Sequence, residues 1–198
     1  MEYYFSLLVF TFVAGITPGP NNMMLMTSGL NHGIKQSLPH FFGICIGFPV
    51  MVIIVGIGMA TLFAKYPSIY FYLKIAGITY LCFLAWKIAN AGNPQATESI
   101  KAPITFLQAA AFQWLNPKAW AIAIGALATF SNKDRFLSSV LVISLAYFIM
   151  GLLTMYVWLA IGKSLQGLLN TTKRRQWFNI IMAVTLVLSI IPVAFIDY

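Results

Sequence analysis

Apolar runs long enough to cross a bilayer constrain this chain more than any other feature. Six of them follow one another, at about residues 3–30, 38–63, 69–91, 104–130, 136–161 and 177–196. An α-helix needs about 20 apolar residues to span a hydrocarbon core, and each run has that many or a few more. Composition agrees, with 60% hydrophobic and 8% charged residues. Soluble domains carry about 45–50% and about 25%. The expected fold is therefore an all-α membrane protein with six transmembrane helices in a single domain, 1–198. A net charge of +8 would suggest nucleic acid for a soluble protein. Here the basic residues fall mostly between the apolar runs, which points to anionic lipid and topology instead. Met1-Glu2-Tyr3-Tyr4 lacks a basic leader and a small-residue cleavage site, so the first run reads as an uncleaved span.

Six spans place both termini on one side. The flanks of the loops after spans one, three and five hold Lys35, Lys87, Lys101, Lys163, Lys173, Arg174 and Arg175. The opposite flanks carry Lys65, Lys74, Lys133 and Arg135. The positive-inside rule makes the first set cytoplasmic and both termini external. The cluster Lys173-Arg174-Arg175 reads as a lipid-headgroup contact.

Thr17-Pro18-Gly19-Pro20-Asn21-Asn22 interrupts the first span. Two prolines remove two backbone donors and clash with the preceding turn. Irregular backbone at membrane depth is tolerated only where protein or a water-filled cavity surrounds it. The plainer reading is a proline kink with asparagine amides bridging neighbouring helices. Asn116-Pro117-Lys118 interrupts the fourth span in the same manner. There Asn116 reads as an N-cap and Pro117 as the first helical residue. Half-helices beginning at Pro20 and Pro117 would aim free N–H groups and positive dipole ends at an anionic group such as a carboxylate. For Pro20 these would be the N–H groups of Asn21, Asn22 and Met23.

Lys118 lies deep in its span, where a cation costs about 2.5–3.5 kcal/mol. No carboxylate is placed to pair with it, since Glu2, Glu98, Asp134 and Asp197 belong to termini or loops. An anionic ligand group is one partner for Lys118. The alternative is a neutral lysine, or one bonded to asparagine amides and backbone carbonyls in a wet crevice. The candidate substrate-binding residues are thus Pro18, Gly19, Pro20, Asn21, Asn22, Asn116, Pro117 and Lys118.

Each half of the chain opens with a proline-broken span. The halves are about 1–91 and 104–198, joined by a Pro/Asn/Thr/Ser-rich linker at about 92–103. Three spans per half make the halves inverted in the membrane. Proline-interrupted segments at matching positions point to a transporter site between repeats. Gly43 and Gly47 have GxxxG spacing, which lets another helix come close. His32 and His40 read as solvated or interfacial. Tyr3, Tyr4, Tyr66, Tyr70, Tyr72, Trp86 and Trp177 read as an aromatic belt. The chain carries no Walker A or nucleotide fingerprint and no His/Cys metal spacing, so it reads as neither an ATP-driven pump nor an enzyme. Cys45 and Cys82 lie inside apolar runs and form no disulfide framework. They leave a membrane thiol-disulfide electron carrier as the alternative function, although buried thiols in apolar helices are usually inert.

The motifs resemble those of the LysE/RhtB amino-acid exporters of bacterial inner membranes. Gly15-Ile16-Thr17-Pro18-Gly19-Pro20-Asn21 is similar to the family's Thr-Pro-Gly-Pro signature. His32-Gly33, the glycines Gly43 and Gly47, and Lys74-Ile75-Ala76-Gly77-Ile78-Thr79-Tyr80-Leu81 resemble further family segments. So do Leu84-Ala85-Trp86-Lys87 and Phe112-Gln113-Trp114-Leu115-Asn116-Pro117-Lys118-Ala119. The resemblance covers nearly the whole chain. It implies export of an amino acid or derivative, driven by the proton gradient, with no organic cofactor. Many relatives carry an aspartate where this chain has Phe48, which argues against a cationic substrate. The candidates are cysteine, O-acetylserine, homoserine and threonine, and the look is closest to the cysteine/O-acetylserine branch. A second copy of the chain is a further candidate partner.

Overall fold

The computed structural model describes residues 2–59, 68–90, 102–132, 134–169 and 171–188. Most of the linker at 92–103 lies outside these residues. Lys65, Tyr66, Glu98, Lys101, Lys133 and Asp197 do too, as do the side chains of Tyr70, Lys74 and Arg175.

Among the described residues every regular element is helical: α1 Glu2–Ile16, α2 Pro20–Ile54, α3 Ser68–Asn90, α4 Phe106–Leu115, α5 Pro117–Phe130, α6 Phe136–Leu168 and α7 Thr172–Leu188. A π-helical turn, Val55–Met59, continues α2. By length and hydropathy two helical stretches can cross a membrane unaided, Pro20–Gly58 and Phe136–Leu168. Shorter apolar helices include Glu2–Ile16 and Pro117–Phe130.

The breaks fall where proline chemistry puts them. α1 stops at Ile16 and α2 starts on Pro20. α4 stops at Leu115 and α5 starts on Pro117. A reciprocal capping box opens α4, with Thr105 Oγ1 accepting from Gln108 N and Gln108 Oε1 accepting from Thr105 N.

Two sequence expectations need correction. The connection expected between about residues 30 and 38 is shorter than that: two helices meet within it at a kink at Gly33, with φ 75° and ψ 176°. That left-handed geometry explains the glycine. Just ahead of the kink, the Gly29 and Leu30 carbonyls accept from Gln166 Nε2 of α6 at 3.2 and 2.8 Å. Ser28 and Ser37 pair across the bend at 2.8 Å. The fifth span, expected to end near residue 161, likewise continues, because α6 runs unbroken to Leu168.

α2 is the central element. It packs along α6 and α4, α1 packs on α6, and α3 pairs with α7. The glycine pair works as expected: a Cβ on Gly43 would meet the Phe106 carbonyl and Ala109, and one on Gly47 would meet Ala110, all on α4. The helices are apolar on both faces. On α6, Val140, Ile143 and Leu159 are buried while Leu137, Leu141, Leu145, Ile149 and Leu153 are exposed. In water such a stripe would be a large apolar patch. Against lipid tails it carries no penalty, which fits a membrane protein.

Candidate functional site

The two helix breaks face each other and are tied together. The Lys118 ammonium donates to the carbonyls of Thr17 at 2.7 Å and Pro18 at 3.2 Å. These carbonyls close the C-terminal end of α1, where a cation is favoured by the helix dipole. The Lys118 chain lies over Gly19, so a Cβ there would stand 2.7 Å from Cδ and 2.9 Å from Nζ. Gly19 is fully extended, so it is needed for space and not for backbone freedom.

A second tie joins side chains. Asn21 Nδ2 donates to Gln113 Oε1 at 2.9 Å, and Gln113 Nε2 returns a bond to Asn21 Oδ1 at 3.2 Å. Gln113 is fully buried and also donates to the Ala109 carbonyl at 2.8 Å. Asn22, buried as well, donates to the Gly15 carbonyl at 2.8 Å and so bridges the α1–α2 break. Asn116 is the N-cap expected of it, its Oδ1 accepting from Lys118 N at 3.1 Å. Trp120 Nε1 spans the same break to the Trp114 carbonyl.

The N–H groups of α2 are distributed differently from expectation. Met23 N donates to Gly19 O at 3.0 Å and is not free for a ligand. The cap position is Gly19, which supplies no side-chain acceptor, so the N–H groups of Asn21 and Asn22 have no side-chain cap.

Above these ties lies a cavity of about 570 Å³, its open mouth included. Pro20, Asn21, Asn22, Asn116 and Lys118 line it from the breaks, with Ile44, Cys45, Phe48, Tyr147, Gly151 and Thr154 among the other walls. Five of the eight candidate residues therefore line the cavity, while Gly19 is buried under Lys118 and Pro117 is buried beside Asn116. Pro18 contributes its carbonyl to Lys118. Among the described residues no aspartate or glutamate lines the cavity. Gln113, Tyr147 and Thr154 were not picked out from the sequence as site residues. A glutamine inside an apolar run was the available signal for the first, whereas a tyrosine or threonine in such a run has none.

The family model of the LysE type translocators matches residues 12–191. The chain belongs to this family. Cysteine/O-acetylserine efflux proteins of Escherichia coli K12 and Shigella sonnei Ss046 are 32% identical to it over 181 residues, covering 90% of each chain. That of Escherichia coli O1:K1 is 32% identical over 180 residues with the same coverage. No solved structure matches.

In this LysE-type chain a second cavity, of about 560 Å³, lies further along α2. Met24, Thr27, Ser28, Asn31, His32 and Lys87 line it. Asn21, paired with Gln113, lines the first cavity, and Met24, in one core cluster with Phe112, lines the second. One histidine departs from expectation. His40 is fully buried, and neither ring nitrogen has a hydrogen-bond partner among the described residues. His32 is half-buried on the wall of the second cavity. The cysteines are both free; Cys45 is buried in the cavity wall and Cys82 is exposed on α3. Tyr3, Tyr4, Tyr72, Trp86 and Trp177 are all exposed, as belt residues should be.

Proposed function

We propose that this chain exports a small neutral amino acid or derivative, of the cysteine or O-acetylserine class or else homoserine or threonine, by alternating access about the cavity between the two helix breaks. The observation that carries the proposal is Lys118, which reaches from the second break to the carbonyls of the first while lining the cavity. An ammonium has three protons and two are committed to these carbonyls, so one is left for a substrate carboxylate. The uncapped start of α2 adds N–H groups and a positive dipole end. The names of the relatives, cysteine/O-acetylserine efflux proteins, support the substrate class. So does the cavity wall, where Phe48 and the absence of any carboxylate among the described residues leave a cationic side chain without a partner.

In this reading the six-span plan stands. α1 and the first stretch of α2 form one span, and α4 and α5 form another. Each opens an inverted three-helix repeat, with the kink at Gly33 separating spans one and two. Both termini face outward across a bacterial inner membrane, the second cavity serves as the cytoplasmic vestibule, and the proton gradient drives an antiport. The thiol-carrier alternative has less support, since Cys45 is buried beside the cavity and Cys82 is exposed on α3.

The test uses proteoliposomes with an imposed pH gradient and labelled cysteine, O-acetylserine, threonine and lysine. Gradient-dependent flux of a neutral substrate is expected in the wild type, with flux lost in Lys118→Met. Flux of lysine alone would overturn the substrate class, and undiminished flux in Lys118→Met would overturn the site.

A further inference from the structure

α6 contributes to the cavity through one face, on which Tyr147, Gly151 and Thr154 follow at i, i+4 and i+7. Tyr147 is only 5% exposed, and its hydroxyl has no hydrogen-bond partner among the described residues. A buried hydroxyl left unpaired keeps its desolvation penalty until something pairs with it. The ring is held in place. It meets Phe48 edge to face with centroids 4.9 Å apart, and one turn earlier Ser144 Oγ clamps α6 to the Pro49 carbonyl at 2.7 Å. Thr154 donates its proton to the Met150 carbonyl at 2.8 Å, which leaves its oxygen free to accept. Between these two residues, a Cβ on Gly151 would meet nothing within 4 Å, so the wall is recessed there. Ile44, Ile122 and Met155 add apolar surface to the same cavity.

We propose that Tyr147, Gly151 and Thr154 form the subsite for the substrate's side chain. Tyr147 and Thr154 bond its polar group, and Gly151 gives it room. The subsite selects short uncharged side chains that carry a hydroxyl, thiol or ester. It rests on the exporter reading, which assigns the substrate's carboxylate to Lys118 on the wall of the same cavity. An amino acid with a purely aliphatic side chain leaves the Tyr147 hydroxyl unpaired, and that difference is the basis of selectivity.

The experiment is counterflow of labelled O-acetylserine into proteoliposomes of the full chain, competed by unlabelled O-acetylserine, cysteine and alanine. The wild type is expected to favour the two polar competitors over alanine. Tyr147→Phe narrows that preference by roughly three- to tenfold, the worth of one neutral hydrogen bond. Gly151→Ala, which adds a methyl group to open space, weakens competition by O-acetylserine more than by the smaller cysteine. A merely structural role would lower all competitors in proportion, and unchanged ratios in both variants would overturn the subsite while leaving the exporter reading intact. Absence of any amino-acid flux in folded wild-type protein would overturn the exporter reading, and the subsite with it.

Discussion

Lys118 occupies a position that a membrane chain tolerates only with partners, and its partners are backbone carbonyls. Depth in an apolar run made the lysine conspicuous in the sequence. Its bonds to Thr17 and Pro18 were not legible, because a carbonyl carries no residue signature and these lie about a hundred positions away. The same holds for the Asn21–Gln113 pair. Each amide was visible as a polar residue in an apolar run, yet only the fold shows that they satisfy each other. Two predictions belong at this scale. Gly19→Ala places a methyl group against the Lys118 chain and pushes the ammonium off its carbonyls. It should cut transport severalfold in reconstituted vesicles while the protein still elutes as a folded species. Asn21→Ala and Gln113→Ala should be non-additive, with a coupling of about 0.5–3 kcal/mol in a double-mutant cycle on unfolding in detergent. Additive effects would mean that the pair contributes nothing as a pair.

Helix breaks and helix approaches were the most readable elements. Proline fixed the starts of α2 and α5, and Asn116 proved to be the cap its sequence position implied. Gly43 and Gly47 found a helix to pack against, although the spacing alone could not say that α4 would be the partner. Helix ends were harder to read. Polar residues at 31–36 do hold the junction of two helices, but only Gly33 among them departs from helical geometry. Polar composition marks where water or headgroups are tolerated, not where a helix stops. Gly47→Leu tests the α2–α4 approach. The side chain would run into the Ala110 backbone, which has no rotamer to yield, so a loss of about 1–3 kcal/mol is expected. A lowered thermal midpoint in detergent would show it, and an unchanged midpoint would mean that the two helices can separate without cost.

For the whole molecule, hydropathy made the class plain, because apolar residues on every face of a helix have no stable arrangement in water. Orientation rests on the distribution of Lys and Arg alone. With both native cysteines replaced by serine, single Lys35→Cys and Arg135→Cys variants should label from opposite sides of the membrane, Lys35→Cys from the cytoplasm. Labelling of both from one side would refute the six-span plan. The Cys45→Ser, Cys82→Ser background should itself keep its flux, whereas a thiol carrier would lose it.

The bridge from residue 118 to residues 17 and 18 also sets an order of assembly. The first broken segment is made early, but the ammonium that satisfies its carbonyls is synthesised about a hundred residues later. At 5–20 residues per second the ribosome needs roughly 5–20 seconds to reach it. Until then those carbonyls must be met by water or a chaperone in the insertion machinery, and a nascent chain stopped before Lys118 leaves them unanswered. A chain truncated just before Lys118 should therefore be degraded faster than one truncated just after it, which a pulse-chase of the two lengths would show.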